Sequence, residues 1–282
     1  MLVRDFWTEV GGVRTHYLAA GATGRPLVLL HGGGTDSASL SWRPSMGLFS
    51  QTCRVIAPDL PGYGQSPRPR VDYTIEYYTE FLNHFVHALG LSEFSLVGLS
   101  LGGHIAASFT LQFPSTIERL VLVDSAGLGT QWHWRTLAWL MVRMPEVPDT
   151  VWRMAGRSRP AIRFSLRNIV HDPLVITEEI VTEISQTIAT HGAGRAWRSY
   201  VEHEMDWSGF RNNFLNRLAE ITLPTLIVHG SHDRLVPVKW AKRAHQLIPD
   251  SELCILEKCG HWPPREKPIE FTGAVLEFLK ND

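Results

Sequence analysis

A mostly parallel, eight-stranded α/β sheet with an inserted helical cap is the fold class this chain predicts. Three observations lead there. Short apolar runs bounded by turn residues recur along the chain, and amphipathic helical stripes lie between them. One stretch of roughly ninety residues carries no strand pattern at all.

The elements follow in order. FWTEV and VRTHYLAA flank the turn at Gly11 and Gly12 and read as a hairpin. PLVLLH (26–31) is a continuous apolar run ending in glycines, which suits a strand buried on both faces. CRVIAPD (53–59), FSLVGL (94–99), RLVLVD (119–124), PTLIVHG (224–230) and ELCILE (252–257) repeat that signature. Between them, residues 74–89 set Ile75, Tyr78, Phe81, Leu82, Phe85, Val86 and Leu89 on one helical stripe, stopped by Gly90. Residues 101–112, ended near Pro114, and residues 238–247 and 266–280 are further helices. Strands alternating with helices imply parallel pairing with both faces covered.

The alternation breaks between 127 and 221. A loop that long is improbable inside a compact domain, so residues 127–221 are expected to form a helical cap within a core of 1–126 and 222–282. Residues 177–190 place Ile180, Val181, Ile184 and Ile188 at helical spacing. Trp132, Trp134, Trp139, Trp152, Trp197 and Trp207 all fall in this segment. They read either as the segment's own core or as an apolar roof over a pocket.

Composition narrows the function class. With 44% hydrophobic and 20% charged residues and a net charge of −1, nothing points to nucleic acid or an anionic membrane. The N-terminal residues lack the apolar core of a signal peptide, and no run approaches a membrane span. Cys53, Cys254 and Cys259 are odd in number and lack C-x-x-C spacing, against a disulfide framework or a zinc site. The expectation is a cytoplasmic protein acting on a small molecule, without metal or cofactor. The cap's apolar surface could also serve a homodimer.

LVGLSLGGHIA (96–106) carries the chemistry. Gly98, Ser100 and Gly102 form G-x-S-x-G between a predicted strand and a predicted helix, the context in which a tight turn exposes a nucleophilic serine. The alternative is a glycine-rich turn with a capping serine. A serine hydroxyl needs a base held by a third group. His261, in a glycine-flanked loop after the last strand, is the candidate base. Asp233, in VHGSHDRLVPV, is the candidate acid, with Asp124 at the end of RLVLVD as the alternative. His104, on the helix after Ser100, is expected to pack sideways or face solvent. The oxyanion donors are expected to be the N–H groups of Leu101 and Gly33, with Gly34 next in order. HGGGTDS lacks the Lys-Ser/Thr of a phosphate-binding loop.

These pieces together resemble the α/β-hydrolase superfamily along nearly the whole chain. HGGG (31–34), PDLPGYGQS (58–66), GLSLGG (98–103), HGSHDRLVP (229–237) and GHWP (260–263) carry the resemblance. The triple glycine, Trp262 after the histidine and DPLVITEEIV (172–181) are similar to the meta-cleavage product hydrolases, which split carbon–carbon bonds of vinylogous diketo acids. That group has Asn before the nucleophile and an arginine in its cap; this chain has Leu99 and Ile184 there. Arg163, Arg167, Arg195 and Arg198 are the cap cations that could substitute.

A buried site without those anchors would bind a charged diacid poorly. The sequence therefore favours a serine hydrolase of largely apolar carboxylic esters, with Leu99, Gly34, Val236 and Trp262 at the pocket. Val236 and Trp262 read equally as loop packing. Carbon–carbon bond hydrolysis and a slow ligand receptor on the same fold are the alternatives.

Overall fold

The computed structural model describes residues 2–130, 140, 151, 154, 156 and 158–280. Its eight-stranded sheet takes the order β1-β2-β4-β3-β5-β6-β9-β10. β1 (Arg4–Val10) and β2 (Val13–Ala20) are the expected hairpin, and β2 joins β4 (Arg54–Pro58) antiparallel. β3 (Pro26–Leu30), β5 (Phe94–Leu99), β6 (Ile117–Val123), β9 (Thr225–Gly230) and β10 (Ser251–Leu256) continue in parallel.

Strand β3 shows why its residues are continuously apolar. Val28 and Leu30 enter one hydrophobic cluster, and Leu27 and Leu29 enter the other. A strand alternates its side chains, so both sheet faces demand apolar residues. α2 (Ile75–Ala88) and α3 (Leu101–Gln112) cover the first face. α1 (Ala38–Phe49) and a C-terminal helix (Pro268–Lys280) cover the second.

Helix α1 has no counterpart among the sequence expectations. ASLSWRPSMGLF contains Pro44, Gly47 and three serines, all poor helix formers. Tertiary contacts supply what the sequence lacks. Pro44 has no N–H for the Leu40 carbonyl, and the Arg265 guanidinium donates to that carbonyl instead. Ser37 caps the start by accepting from Leu40 N at 3.0 Å.

Between β6 and β9 lie α4 (Arg159–Leu166), α5 (Glu178–Ala189), α6 (Arg195–Glu204) and a short ribbon of β7 (Met205–Asp206) with β8 (Gly209–Phe210). That ribbon was not expected; two-residue strands are too short to leave a periodic signal. α7 (Val238–Leu247) links β9 to β10. The helix predicted over 266–280 starts at Pro268, as α9 (Pro268–Lys280), and a separate short helix, α8 (Pro263–Glu266), precedes it; Pro268 disfavours helical backbone at Lys267 and parts the two. The three cysteines are free. No helix among the described residues is long and apolar enough to cross a membrane.

Candidate active site

Parallel register sets the geometry. Leu99 pairs with Val123, Val123 with Val228, and Gly230 with Leu256. The residues that follow these pairs, Ser100, Asp124, Asp233 and His261, therefore emerge along one edge of β5, β6, β9 and β10. Ligands of open parallel sheets bind at such carboxyl edges.

Ser100 sits at φ 52°, ψ −111°, a strained conformation for a residue with a side chain. Its N–H donates to Val123 O at 2.9 Å, which fixes the turn. The flanking glycines are steric requirements. A Cβ on Gly98 would stand 2.2 Å from Gly102 O, and one on Gly102 would stand 2.3 Å from Leu30 O. Helix α3 starts at Leu101, so the Leu101 N–H points out of a helix N-terminus.

His261 Nδ1 and Asp233 Oδ2 are 2.7 Å apart. Asp233 Oδ1 also accepts from Leu235 N at 2.7 Å and Val236 N at 3.0 Å. Burial alone would raise the Asp233 pKa, but His261, His229 and the Val236 N–H outweigh it and hold the carboxyl below its ordinary value. The His261 backbone N–H donates to Ile169 O at 2.7 Å, fastening the His261 loop to the segment between β6 and β9. Asp124 Oδ1 accepts from Gly230 N at 2.9 Å instead of meeting His261. The imidazole is thus oriented by Asp233. Among the described residues the Ser100 hydroxyl makes no hydrogen bond; such contacts commonly tighten only with substrate present.

The glycine loop lies beside Ser100. A Cβ on Gly32 would fall 3.6 Å from Ser100 Cβ, but Gly32 N already donates to Asp36 Oδ2 at 2.8 Å. Gly33, the expected oxyanion donor, follows Gly32 in the loop. Its α-hydrogen side is covered by Trp197 of α6, whose Cζ3 lies 2.4 Å from where a Cβ would be. Gly34, at φ 74°, has nothing within 4 Å of that position. His31 clamps the loop from below, facing Gly32 O through Nδ1 at 2.7 Å and accepting from Leu60 N through Nε2 at 3.0 Å.

The expected pocket residues divide. Leu99 and Trp262 share one buried cluster with Ile184, Ile180 and Ile162 of the inserted helices. The Trp262 indole N–H is committed to Ser41 Oγ at 2.9 Å, and Ser41 Oγ donates to Asp36 at 2.6 Å. A relay therefore joins the base loop to the glycine loop. Val236 packs in the other cluster and shapes the acid turn through its backbone. Of the tryptophans between β6 and β9, Trp197 covers the glycine loop, whereas Trp207 is 72% exposed on the surface. Trp132, Trp134, Trp139 and Trp152 lie outside the described residues.

Among the arginines between β6 and β9, Arg163 binds Glu178 and Ile176 O, and Arg195 reaches Arg68 O at 3.5 Å. His104 does not face solvent. It is fully buried, with Nδ1 2.9 Å from Tyr200 Oη and Nε2 2.6 Å from Asn212 O. Burial pushes its pKa down to about 4, only partly opposed by the Asn212 carbonyl.

Asp36, Ser41, Glu204 and Glu266 were not expected at the site's supports. Glu266 accepts from Gly260 N at 2.8 Å, His171 N at 2.6 Å and Asp172 N at 3.2 Å, bridging the base loop and the inserted segment. Glu204 accepts from Ile75 N and Asn212 Nδ2, both at 2.8 Å. The spacing signal of an exposed helix charge is indistinguishable from that of a buried clamp, so nothing local marks them.

Among the described residues one set of possible metal ligands converges: oxygens of Asp124 and Asp233 with a nitrogen of His229, all within 4.8 Å of one another. His229 Nε2, the ring nitrogen that faces both carboxylates, meets Val236 O at 3.1 Å and so carries the proton, which leaves that nitrogen no lone pair for a metal.

Comparison with known proteins agrees with this fold. Residues 25–268 match the family model described as the alpha/beta hydrolase fold. The chain is 30% identical to the 2-hydroxy-6-oxo-6-(2'-aminophenyl)hexa-2,4-dienoic acid hydrolase of Metapseudomonas resinovorans, over 97% of this chain and 90% of that protein. It is 30% identical to the 2-hydroxy-6-oxo-2,4-heptadienoate hydrolase of Pseudomonas putida, over 95% of this chain and 94% of that one. The crystal structure of a serine hydrolase involved in carbazole degradation superposes with a TM-score of 0.84 at 27% identity, over 99% of both chains. The chain is a hydrolase of the α/β-hydrolase fold family.

Proposed function

We propose that this hydrolase cleaves neutral, largely apolar carboxylic esters through a Ser100–His261–Asp233 triad. The observation that carries the reading is the alignment at one sheet edge of a strained, half-buried serine with a buried His261–Asp233 pair at 2.7 Å. Ser100 Oγ attacks the ester carbonyl carbon as His261 Nε2 takes its proton. Asp233 holds the imidazole tautomer and stabilises its cation. The Gly33 and Leu101 N–H groups receive the developing oxyanion. The alkoxide leaves with the proton from His261, and water, deprotonated by the same imidazole, hydrolyses the acyl-enzyme. The steps use only the chain's own groups.

The preference for a neutral substrate rests on Leu99 and Ile184. Both are buried in one apolar cluster with Trp262, at 2% and 4% exposure. A carboxylate placed against that cluster would be desolvated without a partner. The helices between β6 and β9 serve as a cap in this reading, with Trp197 over the glycine loop.

A second reading, hydrolysis of a carbon–carbon bond in a dienoic diketo acid, is favoured by the activities for which the relatives from Metapseudomonas resinovorans and Pseudomonas putida are named. Side-by-side turnover of p-nitrophenyl butyrate and a 2-hydroxy-6-oxo-dienoate separates the two. Saturable ester turnover that falls at least about 10³-fold in Ser100→Ala is the expected result. Turnover of the dienoate alone would replace the ester reading by the second one.

A further inference from the structure

Asp124 has no part in the steps above, yet it occupies the heart of the site. It is wholly buried at the end of β6, at φ 41°, one residue beyond the strand pair that carries Ser100. Its Oδ1 accepts from Gly230 N, and among the described residues its Oδ2 has no hydrogen-bond partner. An oxygen of Asp124 and one of Asp233 lie within 4.8 Å of each other, with His229 Nε2 3.4 Å from each carboxyl group.

Two carboxylates this close, away from water, do not both ionise. The surroundings decide which keeps the charge. Asp233 receives the N–H groups of Leu235 and Val236 and the His261 ring, whereas Asp124 receives one backbone N–H. His229 does not redress the balance, because its Nε2 proton faces Val236 O and burial lowers its pKa. Glu266 adds negative charge from the end of α8, and the buried Cys259 thiol brings no cation.

We propose that Asp124 is a proton-bearing positioning residue, its neutral carboxyl turned to Asp233 and holding the acid turn in the place where Asp233 orients His261. This rests on the triad reading of the preceding subsection. The pKa of Asp124 stands well above the ordinary carboxylate range, first through burial and then through the Asp233 charge. Asp124 is thus no rival acid: it keeps the charge of the pair on the carboxyl that faces the imidazole.

The test compares Asp124→Asn and Asp124→Ala in the full chain. Asparagine can accept from Gly230 N and present an N–H to Asp233 in place of the proposed acid proton, and it tolerates a left-handed backbone. Asp124→Asn should keep kcat/KM for p-nitrophenyl butyrate within about threefold, while Asp124→Ala should lose about tenfold or more. The wild-type infrared spectrum at pH 7 should contain a protonated-carboxyl C=O band that Asp124→Asn lacks. The Tm advantage of Asp124→Asn over wild type should grow steadily from pH 5 to pH 8, since a neutral folded acid loses stability as the unfolded chain ionises. That growth should persist in a His229→Gln background.

Absence of the band from the wild type, a pH-independent Tm difference, or its disappearance in His229→Gln would overturn the proposal. So would an Asp124→Asn enzyme as inactive as Asp233→Asn. The spectrum and the melting series need no substrate. They still decide the proton if the ester reading fails.

Discussion

At the scale of single residues, two glycines of the site are required for different reasons. Gly98 faces backbone: a Cβ there would meet Gly102 O at 2.2 Å, and no neighbouring side chain can move to relieve it. Gly98→Ala should cost about 3 kcal/mol or more, read as a lower urea midpoint with unchanged slope. Gly33 faces a side chain: its Cβ would meet the Trp197 ring at 2.4 Å. Gly33→Ala should therefore lower ester kcat/KM by about tenfold or more, and Trp197→Ala in the same chain should restore part of it. Failure of that rescue would show that the clash lies in the glycine loop itself. Both glycines stood in legible motifs. The atoms they avoid come from elsewhere in the chain.

At the scale of elements, the inserted helices are fastened to the core by groups that look like ordinary surface charges in the sequence. Glu266 holds three backbone N–H groups, one of the base loop and two of the inserted segment. Removing its carboxylate leaves those donors unpaired, and Ile169 O alone then ties the segment to His261. Glu266→Ala should lower Tm by roughly 5–10 °C and reduce kcat more than it raises KM. An intact kcat with lowered Tm would mean that the clamp supports the fold without positioning the base. Helix α1 teaches the same lesson in reverse. Pro44 argues against a helix locally, and a guanidinium more than two hundred residues away compensates for it.

At the scale of the molecule, buried ionisable groups link stability to pH with opposite signs. His104 joins α3 to Tyr200 of α6 and to Asn212, and its pKa is pushed down to about 4 from 6.5. Between those values the unfolded chain binds the proton that the fold refuses, so stability falls as pH drops from about 6.5 towards 4. The loss reaches on the order of 3 kcal/mol at the acid end. A Tm series from pH 7 to pH 4.5 should show a steep acid limb in the wild type, flattened in His104→Gln. An unchanged limb in that variant would assign the acid sensitivity to other groups.

What the sequence determined by itself was the frame: the eight strands of the sheet, their alternation with helices, the glycine-flanked turn at Ser100 and the order in which Ser100, Asp233 and His261 reach one sheet edge. These are local signals, because apolar periodicity and glycine spacing are written in consecutive residues. The choice between Asp233 and Asp124 was different. Both end strands at the same edge, and only the tertiary structure turned one toward His261 and the other toward Gly230 N. Likewise, Trp197 and Trp207 are chemically identical in the sequence, yet one roofs the glycine loop and the other lies on the surface. Which partner a side chain meets depends on chain segments far apart in sequence, so long-range packing settles it and local pattern does not.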